Sequence, residues 1–466
     1  MPGWAPGSGG AATSDPAGWP YEVERREDCW IPLPASSSDG QQALRLSCSL
    51  WLPHPRGEPQ TTLAVPAVLE YLPYRWGDAT YIRDYCRHPY VCGHGFAVVR
   101  VDIRGSGDSE GEYHGEYLAQ EQEDCRHVLA WVAAQPWCSG AVGMYGKSWG
   151  GFNGLQMASL RPPELRSVIS LYSTDDRYAT DVHYQGGAIV AYQMLSWSSV
   201  MFSYDARPPT PHTLRGHQPG EGAAATVERA REAWRRRLDA SSGPCVQDWL
   251  AHPLRDEFWQ HGSAASVGVD GQQTIEIPTL LIGGAADGYS DVPYRMLASQ
   301  PAAQRGSWRA LVGPWGHDWP DIAAPGPNIG FLQEIVQWWK ATLAFEPEAK
   351  AAVDATPLLR TFVADVPPPI PEGSGLPGSA VRTGRWLAQD RFATAAAGDG
   401  AAAGTWPACF ADEAEYMVLR LFGAEGALLS AADGAPEVAA DVAVSHRGQP
   451  LHGSKSGDWL GCKLSR

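Results

Sequence analysis

Six short apolar runs recur along the chain, and they constrain its fold more than any other feature. Each run is apolar almost throughout and ends in glycine or other turn residues, as strands that are buried on both faces do. The runs are AVPAVLEYLPY (64–74), FAVVRVDIRG (96–105), AVGMYG (141–146), LRSVISLYST (165–174), TLLIGGAADG (279–288) and WRALVGPWGH (308–317). Between the second and third runs, Cys125, Val128 and Val132 fall on one helical face, as in the crossover helix of a βαβ unit. The pattern therefore predicts an α/β fold built on a mostly parallel sheet.

Changes in this rhythm predict three units along the chain. Residues 20–174 and 273–350 carry the strands and their helices, including an opening antiparallel hairpin and a closing helix. Between them, residues 175–272 lack the apolar runs, and a helical stripe at 226–238 predicts a mostly helical cap over the strand ends. From 355 to 466, short alternating segments between turn residues predict an all-β unit.

The acidic composition argues against several classes of partner. The 466 residues include 36 Lys and Arg against 52 Asp and Glu, and a net charge of −16 repels nucleic acid and anionic membranes. The chain has no run of 18 apolar residues and no pattern of a secretory signal, so we expect a cytoplasmic protein. Its nine cysteines form no C-x-x-C pair, so we expect free thiols and neither a metal nor a cofactor.

The stretch GMYGKSWGGF (143–152) resembles two different functional motifs. A phosphate-binding loop would need glycine five residues before Gly146, where the chain has Ala141. The alternative is the G-x-S-x-G of a serine nucleophile, which the chain contains twice, around Ser148 and around Ser109. Only around Ser148 do a strand, a tight turn and a helical pattern follow one another directly, so we predict Ser148 as the nucleophile.

A serine nucleophile needs an imidazole to take its proton and a carboxylate to orient that imidazole. Asp287 stands directly after TLLIGGAA in the fifth run, and His317 directly after WRALVGPWG in the sixth, which is the order and placement that this kind of sheet requires. Asp291 and Asp318 compete for the acid role, but each lies a few residues farther from its strand. We therefore predict Asp287 as the acid and His317 as the base.

The oxyanion of a tetrahedral intermediate needs two hydrogen-bond donors. One donor should be the backbone N–H of Trp149, which follows the nucleophile directly. The other comes from a loop after an earlier strand, here LEYLPYRWGD (69–78), and the pattern alone does not select a residue within it.

Five motifs, taken in order, resemble those of the cocaine esterase and X-Pro dipeptidyl-peptidase family of α/β-hydrolases. They are EYLPYRWGD, VDIRGSGDSEGEY, WCSGAVGMYGKSWGG, LLIGGAADGY and LVGPWGH, and the resemblance spans roughly residues 20–400. It implies Ser148 as nucleophile, Asp287 as orienting acid and His317 as general base. It also implies that Tyr74, the tyrosine of the P-Y turn, lends its hydroxyl to the oxyanion hole.

The same resemblance implies an architecture of a hydrolase core, a helical cap and a C-terminal jelly-roll domain. The three units read from the pattern match that plan, with 355–466 as a β-sandwich that is shorter than is usual in the family. Missing strands would leave sheet edges unpaired. A naturally short domain, a truncated chain and a homo-oligomer whose second subunit covers the edge all remain open.

The family includes esterases, X-Pro dipeptidyl-peptidases and α-amino acid ester hydrolases, and all cleave through an acyl-enzyme. The aromatic side chains expected in the cap favour an esterase acting on an apolar or aromatic acyl group. The two other activities remain alternatives, as does a catalytically silent hydrolase fold that serves as a binding module. Because the four functional side chains are all present, we expect an enzyme.

Candidate pocket residues are Asp181, Trp197 and Tyr289. The α-amino acid ester hydrolases hold the substrate ammonium with extra carboxylates after the catalytic acid, and Tyr289 stands at one such position here. The acidic stretch at 175–183 either brings carboxylates to the pocket or forms a charged loop whose carboxylates pair with Arg177 and solvent.

Overall fold

The fold is built on a ten-stranded mixed sheet. The structure is a computed structural model, and it describes residues 18–34, 43–209, 223–241, 243–266, 275–300, 306–364 and 384–389. The strands of the chain are β1 (Tyr21–Leu33), β2 (Leu44–Pro55), β3 (Val65–Leu72), β4 (Ala97–Asp102), β5 (Cys138–Lys147), β6 (Leu165–Leu171), β7 (Tyr184–Gln185), β8 (Ala188–Ile189), β9 (Thr279–Gly284), β10 (Trp308–Gly313), β11 (Leu359–Ala364) and β12 (Gly384–Gln389). The large sheet has the order β1-β2-β4-β3-β5-β6-β9-β10-β11-β12, and β7 pairs with β8 separately.

The middle of the large sheet is parallel and its edges are antiparallel. All neighbours from β4 to β11 in that order pair in parallel, whereas β2 pairs antiparallel with both β1 and β4, and β12 with β11. The six apolar runs are β3, β4, β5, β6, β9 and β10, and most of their residues are fully buried. The predicted α/β fold with a mostly parallel sheet is therefore confirmed. Since parallel strands end at the same edge, the loops that follow these strands lie together.

Helices connect the strands and pack on the sheet. They are α1 (Tyr81–Gly93), α2 (Ala119–Ala133), α3 (Trp149–Leu160), α4 (Ala191–Asp205), α5 (Ala223–Ala240), α6 (Val246–Ala251), α7 (Glu257–Gln260), α8 (Val292–Ala298), α9 (Phe331–Thr342) and α10 (Pro347–Asp354). Helix α2 buries the predicted stripe of Cys125, Val128 and Val132. Within the described ranges, no helix combines the length and the apolar character that crossing a bilayer requires.

The segment expected as a cap contains α4 to α7, the short β7–β8 hairpin and a 3₁₀ turn at Ala264–Ser266. It has a small core of its own, formed by Tyr184, Met194, Trp249 and Trp259. The helical character of this segment agrees with the sequence pattern. Its status as a separate unit, and the bounds 20–174, 273–350 and 175–272, stay predictions.

The segment expected as a C-terminal β-sandwich contributes two described strands, and both extend the large sheet. Strand β11 pairs in parallel with β10, and β12 pairs antiparallel with β11. The alternating pattern thus correctly predicts strands here, but these two lie at the edge of the central sheet. The rest of 355–466 lies outside the described residues, so a β-sandwich formed by it stays a prediction.

Candidate active site

Ser148 lies on a sharp turn between the end of β5 and the start of α3. Its backbone has φ 58° and ψ −120°, a conformation that costs a non-glycine residue about 1–3 kcal/mol. The turn is held because the Ser148 N–H donates to the Leu171 carbonyl at 2.9 Å. Small flanking residues are required, since a Cβ on Gly146 would stand 2.6 Å from the Cα of Gly150. This strand–turn–helix is the arrangement that the sequence predicts around Ser148.

Asp287 and His317 form a hydrogen-bonded pair beyond the ends of β9 and β10. His317 Nδ1 lies 2.7 Å from Asp287 Oδ2, and the other carboxylate oxygen accepts the backbone N–H of Tyr289 at 2.9 Å. The Asp287 carboxylate is buried, whereas the imidazole keeps 29% of its side-chain surface exposed. A carboxylate beside Nδ1 favours the tautomer that carries its proton there, which leaves Nε2 free to accept one.

The loops that carry the acid and the base are joined by backbone hydrogen bonds. The N–H of Ala285 donates to the Gly313 carbonyl at 2.8 Å, and the N–H of Ala286 donates to the Trp315 carbonyl at 3.0 Å. Lys147, next to the serine, donates to the carbonyl of His317 at 3.0 Å. The loops of the acid and the base are therefore tied to each other by their backbones, and the Lys147 side chain ties the turn of the serine to the loop of the base.

The two competing carboxylates have other partners. Asp291 accepts the Thr180 hydroxyl at 3.1 Å and lies 3.8 Å from the Arg295 guanidinium. Asp318 lies 3.8 Å from the ammonium of Lys147. The structure thus brings His317 to Asp287 rather than to either alternative.

Tyr74 lies beside the serine, in the loop after β3. Its hydroxyl hydrogen-bonds with the Ser148 side chain and with the backbone of Trp149, and its ring meets the Trp149 ring edge-on with centroids 6.3 Å apart. Burial raises the pKa of Tyr74, against the smaller lowering effect of those hydrogen bonds, so the hydroxyl keeps its proton. A protonated tyrosine and a backbone N–H at one point are the donors that an oxyanion requires.

The second G-x-S-x-G match has a structural role. Ser109 is fully buried; its hydroxyl donates to the Asp102 carbonyl at 2.6 Å and accepts the Ser47 N–H at 2.9 Å. The Asp102 carboxylate in turn accepts the backbone N–H of Trp76 at 3.0 Å, two residues beyond Tyr74. The segment around Ser109 thereby supports the loop that carries Tyr74.

Two of the three pocket candidates border the site directly. The Trp197 ring lies 6.1 Å from the ring of Tyr74, and the Tyr289 ring lies 5.9 Å from that of His317. Asp181 lies behind them, where it accepts the Tyr289 hydroxyl at 2.9 Å. Trp197 and Tyr289 are called here the aromatic wall of the site, and Asp181 supports it through the Tyr289 hydroxyl.

The carboxylates of the 175–183 stretch are paired with cations. Asp175 pairs with Arg295 at 2.5 Å, and Asp176 pairs with Arg255. Arg177 pairs with Glu116 at 2.8 Å. The sequence gives no signal for Glu116, because it lies in a polar loop that the pattern does not distinguish from a solvated one.

One group of side chains has the composition of a metal site. Glu70, Asp84 and His88 offer ligand atoms within 4.8 Å of one another, among the described residues searched. Arg83 pairs with both carboxylates, and the Arg100 Nε lies 3.4 Å from Asp84 and 3.6 Å from Glu70. Burial lowers the pKa of His88 to about 3. Because two guanidiniums already balance the two carboxylates, this group is suited to a buried ion-pair cluster rather than to a metal ion.

Comparisons with known proteins extend these observations. Residues 39–319 match the X-Pro dipeptidyl-peptidase (S15) family. Cocaine esterase of Rhodococcus sp. (strain MB1 Bresler) is 29% identical over 234 residues, which are 48% of this chain and 39% of that protein. The chain therefore spans well under two thirds of the length of this relative.

Solved structures share the fold at low sequence identity. A CocE/NonD family hydrolase from Staphylococcus aureus has a TM-score of 0.54 at 18% identity, over 80% of this chain and 56% of its own. An aminopeptidase from a marine sediment archaeon, Thaumarchaeota archaeon, has a TM-score of 0.54 at 19% identity, over 82% of this chain and 60% of its own. With the family match covering more than half of its residues, the chain belongs to the X-Pro dipeptidyl-peptidase (S15) family.

Proposed function

We propose that the protein is a serine hydrolase that cleaves an ester bond through an acyl-enzyme, with an apolar or aromatic acyl group as substrate. The observation that carries this proposal is the convergence of three features at one edge of the sheet. The serine sits on a strained turn, the Tyr74 hydroxyl hydrogen-bonds with its side chain and with the backbone of the next residue, and a histidine is oriented by a buried carboxylate. Together these are the groups that acyl transfer requires.

The mechanism follows from the roles of these groups. The Ser148 hydroxyl attacks the substrate carbonyl while His317 Nε2 takes its proton, and Asp287 stabilises the resulting imidazolium. The negative charge that develops on the carbonyl oxygen is met by the Tyr74 hydroxyl and the Trp149 N–H. His317 then protonates the leaving group, and a water molecule, activated by the same imidazole, hydrolyses the acyl-enzyme.

The charge balance around the site supports an esterase over a peptidase. An X-Pro dipeptidyl-peptidase or an α-amino acid ester hydrolase must hold a substrate ammonium, and an unpaired carboxylate is the usual partner for it. Here Asp181 faces His183 at 2.8 Å, and Glu116 faces Arg177 at 2.8 Å. These carboxylates are already neutralised, so the site favours a substrate without an ammonium group. The cocaine esterase relative is named for ester cleavage as well.

X-Pro dipeptidyl-peptidase activity is the second candidate, because the family carries that name. The α-amino acid ester hydrolase and the catalytically silent binding module remain further alternatives. We also propose that the protein acts in the cytoplasm without a nucleic-acid or membrane partner, which its net charge of −16 supports. A homo-oligomer, in which a second subunit pairs with an edge strand of the sheet, remains a further alternative.

The decisive experiment compares wild-type protein with Ser148→Ala. We expect a fluorophosphonate probe to label wild-type protein at Ser148 and to leave Ser148→Ala unlabelled, since labelling needs an activated nucleophile. Ser109→Ala is the matched control and should label as wild type does. Continued turnover of a p-nitrophenyl ester by folded Ser148→Ala would refute the assignment.

A second measurement ranks the substrates. Rates on p-nitrophenyl acyl esters, X-Pro anilides and α-amino acid esters are compared side by side with the same preparation. We expect the acyl esters to have the highest kcat/KM. A higher value for the X-Pro anilide would replace the esterase proposal by the peptidase.

A further inference from the structure

Four charged side chains form a buried cluster behind the aromatic wall of the site. They are Glu116, Arg177, Asp181 and His183, called here the buried charged cluster, and none of them exposes more than a few per cent of its surface. They come from the loop before α2 and from the segment before β7, so the cluster joins the sheet to the helical insertion.

His183 lies at the centre of this cluster. Its Nδ1 is 2.8 Å from Asp181 Oδ2, and its Nε2 is 3.1 Å from Glu116 Oε2. Burial alone would lower the pKa of His183, but the two carboxylates outweigh it and raise that pKa to about 9. At neutral pH the cluster therefore contains two cations and two anions, since Arg177 also pairs with Glu116.

Each carboxylate of the cluster holds one aromatic side chain of the pocket. The Trp197 indole N–H donates to Glu116 Oε1 at 2.6 Å, and the Tyr289 hydroxyl donates to Asp181 Oδ1 at 2.9 Å. Hydrogen bonds to a charged acceptor are stronger and more directional than neutral ones. Both side chains are thus fixed by a hydrogen bond to a buried carboxylate.

These two aromatic side chains contact the two halves of the reaction machinery. The Trp197 ring packs against Tyr74 at 6.1 Å and against Trp149 at 6.3 Å. The Tyr289 ring lies 5.9 Å from His317, and its own N–H donates to the Asp287 carboxylate at 2.9 Å.

We propose that His183 and its two carboxylate partners are positioning residues, which act through Trp197 and Tyr289 on the oxyanion donors and on the acid–base pair. This inference rests on the proposed acyl-transfer function of Ser148. Reacting groups must be held within a fraction of an ångström for full rate, and an aromatic wall can do this only if its own orientation is fixed. The balanced charges let the cluster fix both rings without placing a net charge beside a neutral acyl group.

The test uses variants that remove one hydrogen bond each and keep every charge. Tyr289→Phe removes only the hydroxyl, whereas Trp197→Phe removes the indole N–H together with part of the ring that packs on Tyr74 and Trp149, so Tyr289→Phe is the sharper test. We expect each to lower kcat/KM on a p-nitrophenyl ester about ten- to a hundredfold, largely in kcat, because the acceptor is charged and the ring is released. Tyr178→Phe is the matched control, since its hydroxyl donates to the Pro253 carbonyl within the same insertion.

His183→Gln removes the centre of the cluster, and His252→Gln is its control, because His252 pairs with Asp256 at 2.6 Å on the surface. The double variant His183→Gln/Tyr289→Phe should lose no more activity than the worse single variant, since both act through one pathway. If the loss of kcat/KM in the double variant equals the product of the two single losses, the proposal is overturned. If His183→Gln does not fold, Tyr289→Phe and Trp197→Phe decide the question.

The kcat of the folded protein, read together with the melting temperature, separates positioning from mere stabilisation. Tyr289→Phe and Trp197→Phe should melt below Tyr178→Phe, because each leaves a buried carboxylate without one donor. Under the positioning role, kcat falls even in protein that is fully folded at the assay temperature, whereas a purely structural role would leave the kcat of the folded protein unchanged. Wild-type protein without labelling or turnover would instead refute the proposed function itself. Active wild-type protein with variants equal to their controls would refute the positioning role alone.

Discussion

The carbonyl oxygen of Trp315 lies only 2.1 Å from the point where a Cβ atom on residue 284 would stand, so only Gly284 fits at the end of β9. This close approach allows the two backbone hydrogen bonds that join the loop of Asp287 to the loop of His317. The backbone therefore helps to hold Asp287 next to His317, in addition to the hydrogen bond between their side chains.

Gly284→Ala should separate these two loops. The obstacle is backbone rather than a flexible side chain, so we expect the free energy of unfolding to fall by about 1–3 kcal/mol. Ester turnover should fall as well, because the Asp287–His317 distance of 2.7 Å depends on the same approach. Urea denaturation and kcat measure the two effects. In Gly288→Ala the new methyl group would meet no atom closer than 3.5 Å, so the stability of this control should stay near that of wild type.

Ser109→Ala should have the opposite effect to Ser148→Ala: it should lower the stability of the protein and leave ester turnover in place. The substitution leaves the buried Ser47 N–H without its acceptor, which costs about 1–3 kcal/mol of stability. Turnover should persist, because Ser109 does not touch the reacting groups. Loss of fluorophosphonate labelling at Ser148 in a folded Ser109→Ala protein would contradict the choice of Ser148 as the nucleophile.

The strands and the order of the reacting groups could be predicted from the sequence because both depend on local patterns. Buried parallel strands appear as apolar runs, and Ser148, Asp287 and His317 each follow the end of one such strand. The loop after β3 could be predicted in the same way as a source of the second oxyanion donor. Tyr74 could not be identified within it, because the direction in which a side chain points depends on the three-dimensional path of the loop. Only the family resemblance named that residue.

The buried charged cluster could not be predicted, because its contacts cross long sequence separations. Glu116 meets His183 only after the chain has passed through α2, β5, α3 and β6, and no periodicity connects two polar loops. Strands β11 and β12 were recognisable as strands, but an alternating pattern does not specify which sheet a strand joins. The sequence therefore predicts which residues follow each strand, but it does not predict which distant side chains or strands pair with one another.

Tyr74→Phe tests the oxyanion hole. The variant keeps the ring that packs against Trp149 and loses only the hydroxyl, so we expect kcat to fall about a hundredfold or more. KM should change little, because the oxyanion exists only near the transition state. Tyr90→Phe, on α1, is a control that should keep wild-type kinetics. An unchanged kcat in Tyr74→Phe would exclude its hydroxyl from the reaction.

The stability of the protein should depend on His183 at alkaline pH. Its carboxylate partners raise the pKa of His183 to about 9 against the opposing effect of burial, and an unfolded histidine titrates near 6.5. The native state therefore binds the extra proton between these values, so the stabilisation is complete below about pH 6.5 and is lost as pH rises through about 9. The linkage amounts to about 3 kcal/mol.

Denaturation of wild type and His183→Gln across this pH range measures the linkage. The difference in unfolding free energy between the two proteins should shrink as pH rises from 6.5 to 9. His252→Gln, which alters a surface pair with Asp256, should run parallel to wild type. A difference that stays constant with pH would show that His183 is neutral in the native protein.

Lys147 connects the nucleophile's turn to the base, although its G-K-S setting resembles a phosphate loop. Its ammonium donates to the His317 carbonyl at 3.0 Å and lies 3.8 Å from Asp318. Lys147→Met keeps the apolar stem and removes this donor, so we expect kcat/KM to fall about tenfold as the base loop loosens. Lys340→Met, which breaks a surface pair with Glu346, should have no such effect.

The pH dependence of this loss identifies its cause. Burial lowers the pKa of Lys147 to about 8, and the charge of Asp318 opposes this effect. In wild-type protein the Lys147 side chain therefore loses its extra proton and its positive charge as pH rises through that value. The ratio of wild-type to Lys147→Met kcat/KM should therefore be largest below about pH 8 and should narrow above it. A ratio that is independent of pH would assign the loss to the hydrogen bond itself, which a neutral amine also donates, because the charge would then contribute nothing to the placement of His317.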